Sequence, residues 1–247
     1  RMEFNKNISL KPHNTFGIDV SAKIFTSFNT VEEAQNIISD SVFKSEKNSL
    51  ILGGGSNMLF TKNFDGIVLK NNLKGIHIVN EDAESVFIKV GSGEVWHEFV
   101  MHCVEENLAG LENLSLIPGN VGASPMQNIG AYGTEIKDRF HSLEALHIET
   151  GKIRTFSNEE CEFGYRESVF KTIYKNQFII TSVTYRLLKH AQVNTSYGAI
   201  EQELNKMNIS SPTIKNVSDA VIAIRSSKLP DPKQIGNAGS FFKNPVV

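Results

Sequence analysis

The sequence predicts a mixed fold in which strands and helices alternate, of the α/β or α+β class. Three observations predict it. Short apolar runs at 49–52, 66–70 and 86–90 have the length of strands. Two stretches, near Val31 and near Trp96, carry apolar residues at helical spacing. Glycine-rich loops follow the apolar runs at 49–52 and 86–90.

The elements follow in chain order. Thr30 can cap a first helix and Glu33 can reach back to it, a capping box. Val31, Ala34, Ile37 and Ile38 then share one face. The strand at 49–52 runs into Gly53-Gly54-Gly55-Ser56-Asn57, and the strand at 86–90 into Gly91-Ser92-Gly93. Trp96, Phe99, Val100, Cys103 and Val104 stand at i, i+3, i+4, i+7 and i+8, a helix that Asn107 and Gly110 end. Residues 114–133 hold four glycines and two prolines and offer few core side chains. A hairpin is expected over 143–156, turning at Thr150-Gly151. In the strand at 178–188, Val183, Tyr185 and Leu187 alternate with Thr184 and Arg186. Ser218 is placed as the cap of a helix through Val221, Ile222 and Ile224 that Pro230 ends. A last glycine-rich stretch, 236–245, precedes Val247 with no closing element.

Composition narrows the class. The 247 residues suffice for one large domain or two to three small ones. With 40% hydrophobic and 21% charged residues, wholesale disorder is excluded. The 25 Lys and Arg against 27 Asp and Glu give a net charge of −2, not the basic footprint of a nucleic-acid binder. No run approaches the roughly 18 apolar residues of a membrane span. Residues 1–9 lack the apolar core of a signal peptide. Cys103 and Cys161 are far apart with no CxxC, so a reducing cytoplasm is expected rather than a disulfide framework or a zinc site. His97, His102, His141 and His147 are not spaced as metal ligands.

The glycine loops are the first functional signal. Glycine lets backbone amides approach a ligand closely, and successive amides form a nest for anions such as a diphosphate. Neither loop is a Walker A or a GxGxxG opening a helix, and a tight turn explains 53–55 equally well.

Taken together, the motifs are far more specific. Gly53-Gly54-Gly55-Ser56-Asn57, then 117–133, Gly164-Tyr165-Arg166-Glu167-Ser168, Lys228-Leu229-Pro230-Asp231-Pro232 and 236–245 occur in one order. This resembles the UDP-N-acetylenolpyruvoylglucosamine reductase (MurB) family, from about Asn14 to the last residue. The resemblance implies an α+β, two-subdomain FAD-binding fold of the vanillyl-alcohol-oxidase type, followed by a substrate-binding domain that is incomplete here. The expected division is 1–70, 71–210 and 211–247.

The resemblance also implies the chemistry. NADPH reduces FAD, and the reduced cofactor delivers hydride to UDP-N-acetylglucosamine enolpyruvate. The product is UDP-N-acetylmuramate, a precursor for peptidoglycan and hence for the cell wall and division. A cytoplasmic monomer is expected. By resemblance Gly53, Gly54, Gly55, Ser56, Asn57, Ile117, Gly119, Gly122, Ala123, Ser124, Gln127, Asn128, Gly130 and Ala131 surround the cofactor. Local turn hydrogen bonds are the other reading of Gln127 and Asn128.

Arg166 matches the family's catalytic arginine. A guanidinium can fork onto the substrate carboxylate, on which charge develops. Its plainer reading is an ion pair with Glu162 or Glu167. Ser240 matches the proton donor, or else simply caps a glycine turn. Tyr132, Tyr197, Arg225, Lys228 and Asn244 match or flank substrate contacts. Tyr197-Gly198 is also a common approach to a helix, and Arg225 fits the polar side of the Val221 helix. A further family glutamate falls beyond Val247, so a shortened chain is expected. The alternatives are a catalytically incomplete fragment that binds FAD or sugar nucleotide, and a related flavin oxidoreductase with another substrate.

Overall fold

The computed structural model describes residues 2–240 together with Lys243 and Asn244. In chain order come β1 (Asn5–Ser9), β2 (Ser21–Phe28), α1 (Val31–Ser39), α2 (Ser41–Ser45), β3 (Ser49–Leu52), β4 (Phe64–Asn71), β5 (Ile76–Glu81) and β6 (Ser85–Gly91). There follow α3 (Trp96–Glu105), β7 (Gly130–Ala131), β8 (Thr134–Glu135), β9 (Phe140–His147), β10 (Ile153–Ser157), β11 (Phe178–Leu188), α4 (Gly198–Lys206) and α5 (Ile214–Lys228). Among the described residues no helix is long and apolar enough to cross a membrane.

The strands form two main sheets. The first runs β1-β2-β4-β3, with β1 antiparallel to β2 and the β2–β4 and β3–β4 pairs parallel. The second runs β10-β9-β11-β6-β5 and is antiparallel throughout. A partly parallel sheet beside an antiparallel one, with helices packed on each, is an α+β arrangement.

The predicted helical stripes face these sheets. Ala34, Ile37 and Ile38 of α1 pack with Ile24, Phe28, Ile67 and Leu69 of the first sheet. Leu146 and Ile179 of the second sheet join the same cluster, so the sheets share core. Trp96, Phe99, Val100 and Cys103 of α3 pack on Val86, Ile88, Val90, Val183 and Tyr185 of the second sheet. The Tyr185 ring lies 5.8 Å from Trp96 and 5.4 Å from Phe99. Each such fully buried large side chain contributes about 1.5–3 kcal/mol. Cys103 and Cys161 are free and buried, and burial pushes both thiols above their ordinary range. Helices α4 and α5 close a smaller core of Ile200, Leu204, Val217, Val221 and Ile224.

Several expectations need correction. Ser218 does not cap α5. Thr213 does, accepting the Asn216 amide while Asn216 accepts the Thr213 amide. Ser218 lies inside the helix, its hydroxyl 2.7 Å from that of Ser115. Glu33 does reach back, but the amide it takes is that of Asn29, at 2.6 Å. Residues 114–133 are not poor in core side chains: Leu114, Val121 and Ile129 are buried in the main cluster. Phe241, Phe242, Pro245, Val246 and Val247, on which part of the last glycine-rich motif and the expected end without a closing element fall, lie outside the described residues.

Candidate active site

A cleft of about 860 Å³ gathers residues from the loop after β3, the start of α3, the 117–135 segment, residues 165–171, Tyr197, α5 and the stretch after it. Its first wall comes from the glycine loop after β3, through Ser56 and Asn57. Gly53, Gly54 and Gly55 stand behind them. A Cβ on Gly55, where φ is +64°, would lie 1.9 Å from the His13 carbonyl oxygen. A Cβ on Gly54 would press within 3.2 Å of the Gly119 Cα. The two glycine-rich segments thus meet backbone to backbone, an approach only glycine allows. Among the described residues none accepts a hydrogen bond from the amides of Gly54, Gly55, Ser56 or Asn57. Such a set of free donors suits an anion with several oxygens.

The second wall is the loop itself. Ile117, Ala123, Ser124, Gln127, Gly130 and Ala131 line the cleft. Gln127 accepts from the Asn57 side chain at 3.4 Å, tying the walls together. The Ser124 hydroxyl donates to Val121 O at 2.7 Å and pairs with the buried Tyr185 hydroxyl. Gly119 and Gly122 support the loop from behind, the Gly122 amide donating to Ser92 O at 2.9 Å. Asn128 corrects an expectation, because it is fully buried away from the cleft. Its Nδ2 donates to Gly164 O at 3.0 Å, its Oδ1 accepts the Lys137 amide at 3.1 Å, and its φ is +43°. The local-hydrogen-bond reading is the one the structure displays.

Arg166 and Ser240 face this one cleft. Arg166 adopts φ +53°, a left-handed conformation that costs a residue with a Cβ about 1–2 kcal/mol. Its guanidinium donates to Gly130 O at 2.6 Å and to Asn128 O at 3.3 Å. The carboxylate near it is Glu135, at 3.8 Å, so neither expected partner, Glu162 nor Glu167, takes it up. Two carbonyls and this one carboxylate orient the cation.

The far end is aromatic and cationic. Tyr132 (φ +50°) meets Tyr197 edge-on at 5.4 Å. Tyr197 lines the cleft and is also the residue at the start of α4. Arg225 presents a buried Nε with no hydrogen-bond partner among the described residues. Burial lowers its pKa from the ordinary arginine value, and Tyr132 beside it opposes that. Lys228 and Asn244 complete the predicted set. Among the described lining residues, Arg166, Lys171, Arg225, Lys228 and Lys243 face one carboxylate, Glu135. Glu167 pairs with Lys171 at 3.7 Å and with Lys243 at 3.4 Å, so Arg166, Arg225 and Lys228 carry most of the positive potential of the cleft.

Known proteins share this sequence and this fold. A family model described as an FAD binding domain matches residues 22–157. A UDP-N-acetylenolpyruvoylglucosamine reductase of Flavobacterium johnsoniae is 58% identical over 247 residues, all of this chain and 72% of that protein. The chain belongs to the UDP-N-acetylenolpyruvoylglucosamine reductase family. Another member, from Pseudomonas savastanoi pv. phaseolicola, is 49% identical over 246 residues, 100% of this chain and 72% of its own length. The solved reductase of Thermus caldophilus superposes with a TM-score of 0.69 at 24% identity, covering 99% of this chain and 76% of that one. A solvent-stable cholesterol oxidase shares the fold at TM-score 0.54 and 13% identity, over 76% of this chain and 38% of that one.

For this member of the reductase family the donor set fits FAD. The unpartnered amides match a diphosphate, and the apolar and amide-bearing second wall matches a planar ring with polar edges. Sequence reasoning missed Glu135, Lys171, Lys243 and Trp96, all on the cleft. The Trp96 periodicity signalled core, and its Nε1 does donate to Leu114 O at 2.9 Å. Lys243 stood inside the 236–245 motif beside Asn244, whereas Glu135 and Lys171 had no local signal.

Proposed function

We propose that this chain reduces UDP-N-acetylglucosamine enolpyruvate to UDP-N-acetylmuramate with NADPH as reductant, in peptidoglycan precursor synthesis. When bound, FAD supplies the hydride carrier between the two substrates. The observation that carries the reading is that Arg166 and Ser240 line one cleft with both glycine-bearing loops.

The amides of 54–57 and the loop at 117–131 hold the cofactor. Hydride arriving at the unsaturated acid drives negative charge onto its carboxylate. Arg166 grips that group, and its charge cannot be lost to the solvent. Its hold is stronger at the transition state than at the ground state, which is the condition for rate enhancement. Ser240 gives its hydroxyl proton to the carbon next to the carboxylate. Tyr132, Tyr197, Arg225, Lys228 and Asn244 bind the nucleotide: the rings stack and the cations meet the diphosphate. Glu135 holds Arg166 in place until the substrate carboxylate arrives.

The division at 1–70, 71–210 and 211–247 belongs to the same proposal, and the separate sheets drawn from 5–71 and 76–188 support its first boundary. So does a monomeric state in the cytoplasm, a compartment that suits two buried free thiols. The test is NADPH consumption by the FAD-loaded protein. Consumption that requires the enolpyruvyl nucleotide supports the reading. Consumption indifferent to it, with oxygen as acceptor, contradicts it.

A further inference from the structure

We propose that Lys70 is a positioning residue for the FAD diphosphate: its ammonium polarises the Gly53–Gly54 peptide from behind and strengthens the amide that the glycine loop offers the anion. The proposal rests on the assignment of FAD to this cleft.

Lys70 stands on β4 directly opposite Leu52 of β3, one residue before the loop. Its Nζ donates to the Gly53 carbonyl oxygen. In a trans peptide the C=O and N–H of one unit point in opposite directions. A cation on Gly53 O therefore draws electron density from the unit whose N–H belongs to Gly54. Linked hydrogen bonds strengthen one another by this route, by about 10–30% per bond. The Gly54 amide has no acceptor among the described residues.

The surroundings of the ammonium point the same way. No residue of the loop at 53–57 is charged. Lys70 forms no ion pair among the described residues, and the nearby charge it feels is Lys74. Burial first, and Lys74 second, lower its pKa from the ordinary lysine value. His13, whose carbonyl abuts Gly55, has its pKa lowered by its own burial first and by Lys70 second. A half-buried cation without a counter-charge is costly. An anion cradled on the other face of the same peptide supplies that charge. A cap on a loop carbonyl needs only a donor, whereas this role needs a cation.

The experiment strips FAD from the protein and titrates back FAD or riboflavin, which lacks the phosphates, by quenching of flavin fluorescence. Lys70→Met is expected to weaken FAD binding about tenfold to a hundredfold, because it removes the cation's through-space attraction for the diphosphate together with the polarised amide, and to leave riboflavin within about twofold. Lys70→Arg restores FAD binding. Wild-type affinity for FAD in K70M, or equal losses for both flavins, overturns the proposal. Failure of the wild-type protein to bind FAD is a different result, and it removes the cofactor assignment together with Lys70's role. Amine acylation of the wild-type protein, read by peptide mass, covers a K70M variant that does not fold. ADP and FAD, but not riboflavin, should slow acylation at Lys70 by about tenfold or more, and unchanged rates with ADP overturn the proposal.

Discussion

The two ends of the cleft are built from different materials. At the proposed cofactor end the donors on offer are backbone amides of a glycine loop, and an ammonium stands behind that loop on Gly53 O. At the proposed substrate end, long side chains from three places converge: Arg166 and Lys171, Arg225 and Lys228 of α5, and Lys243. Backbone donors are rigid and need no rotamer ordering, which suits a group held through every turnover. Long cations can release and regrip, which suits substrates that come and go. Substitutions at one end should therefore change cofactor retention, and at the other turnover or KM.

The largest effect should come from Ser240→Ala. Loss of the proton donor is expected to lower turnover about 10²–10⁴-fold while FAD content stays normal. Loss of FAD from this variant would dissolve the distinction between the ends.

The cofactor end is sharpened by a pair of glycines. Gly55→Ala puts a methyl 1.9 Å from a carbonyl oxygen at φ +64° and should cost more than about 2 kcal/mol of stability, with loss of bound FAD. Gly151, at φ +68° with nothing within 4 Å of its added Cβ, should cost only about 1 kcal/mol and keep FAD. Equal costs in urea melts would mean that the close approach at Gly55 carries no weight.

At the substrate end, Tyr197→Ala removes an edge-to-face ring contact worth about 0.5–1.5 kcal/mol. KM for the sugar nucleotide should rise a few-fold to tenfold, with NADPH reduction of the enzyme unaltered. A KM within error of wild type would remove Tyr197 from the site.

The smallest effect is one of pH. His97 Nδ1 accepts the Leu116 amide at 2.8 Å and so braces the segment entering the second wall. Burial holds the imidazole below its ordinary pKa, against the pull of Glu98. The unfolded chain therefore takes the proton first as pH falls through about 6.5. Stability is flat above that pH and declines below it, toward the lower folded value. His97→Asn keeps an acceptor in place and should show a shallower decline between about pH 7 and 5. Matching slopes would deny His97 the effect.

Much of the frame was legible because it repeats with a regular period. The stripe of α1 and the α3 face from Trp96 to Cys103 needed no tertiary knowledge. β11 was legible as a strand but not in its alternation, because it is buried on both faces from Ile179 to Tyr185, Thr184 included, and only Arg186 turns outward. β5 was not legible, since a bulge breaks its alternation and turns Ile78 and Val79 outward. Ser218 misled because it is a residue type that caps helices, yet its hydroxyl answers Ser115, far away in sequence. In the site, Arg166 and Ser240 were legible through the order of motifs, not through local chemistry. Asn128 was ambiguous, since an amide in a glycine loop serves a ligand or the loop, and its left-handed backbone and buried partners decide for the loop. Lys70 looked like the end of a strand until β3 and β4 paired and brought its head group to Gly53.

The central claim is that Arg166 acts on the substrate acid and not on the cofactor. Stopped-flow absorbance can follow the two half-reactions of FAD-loaded Arg166→Met under anaerobic conditions. Reduction by NADPH should keep its wild-type rate, and reoxidation by the enolpyruvyl nucleotide should slow by about 10²–10³-fold. Equal slowing of both halves, or of neither, would contradict the account.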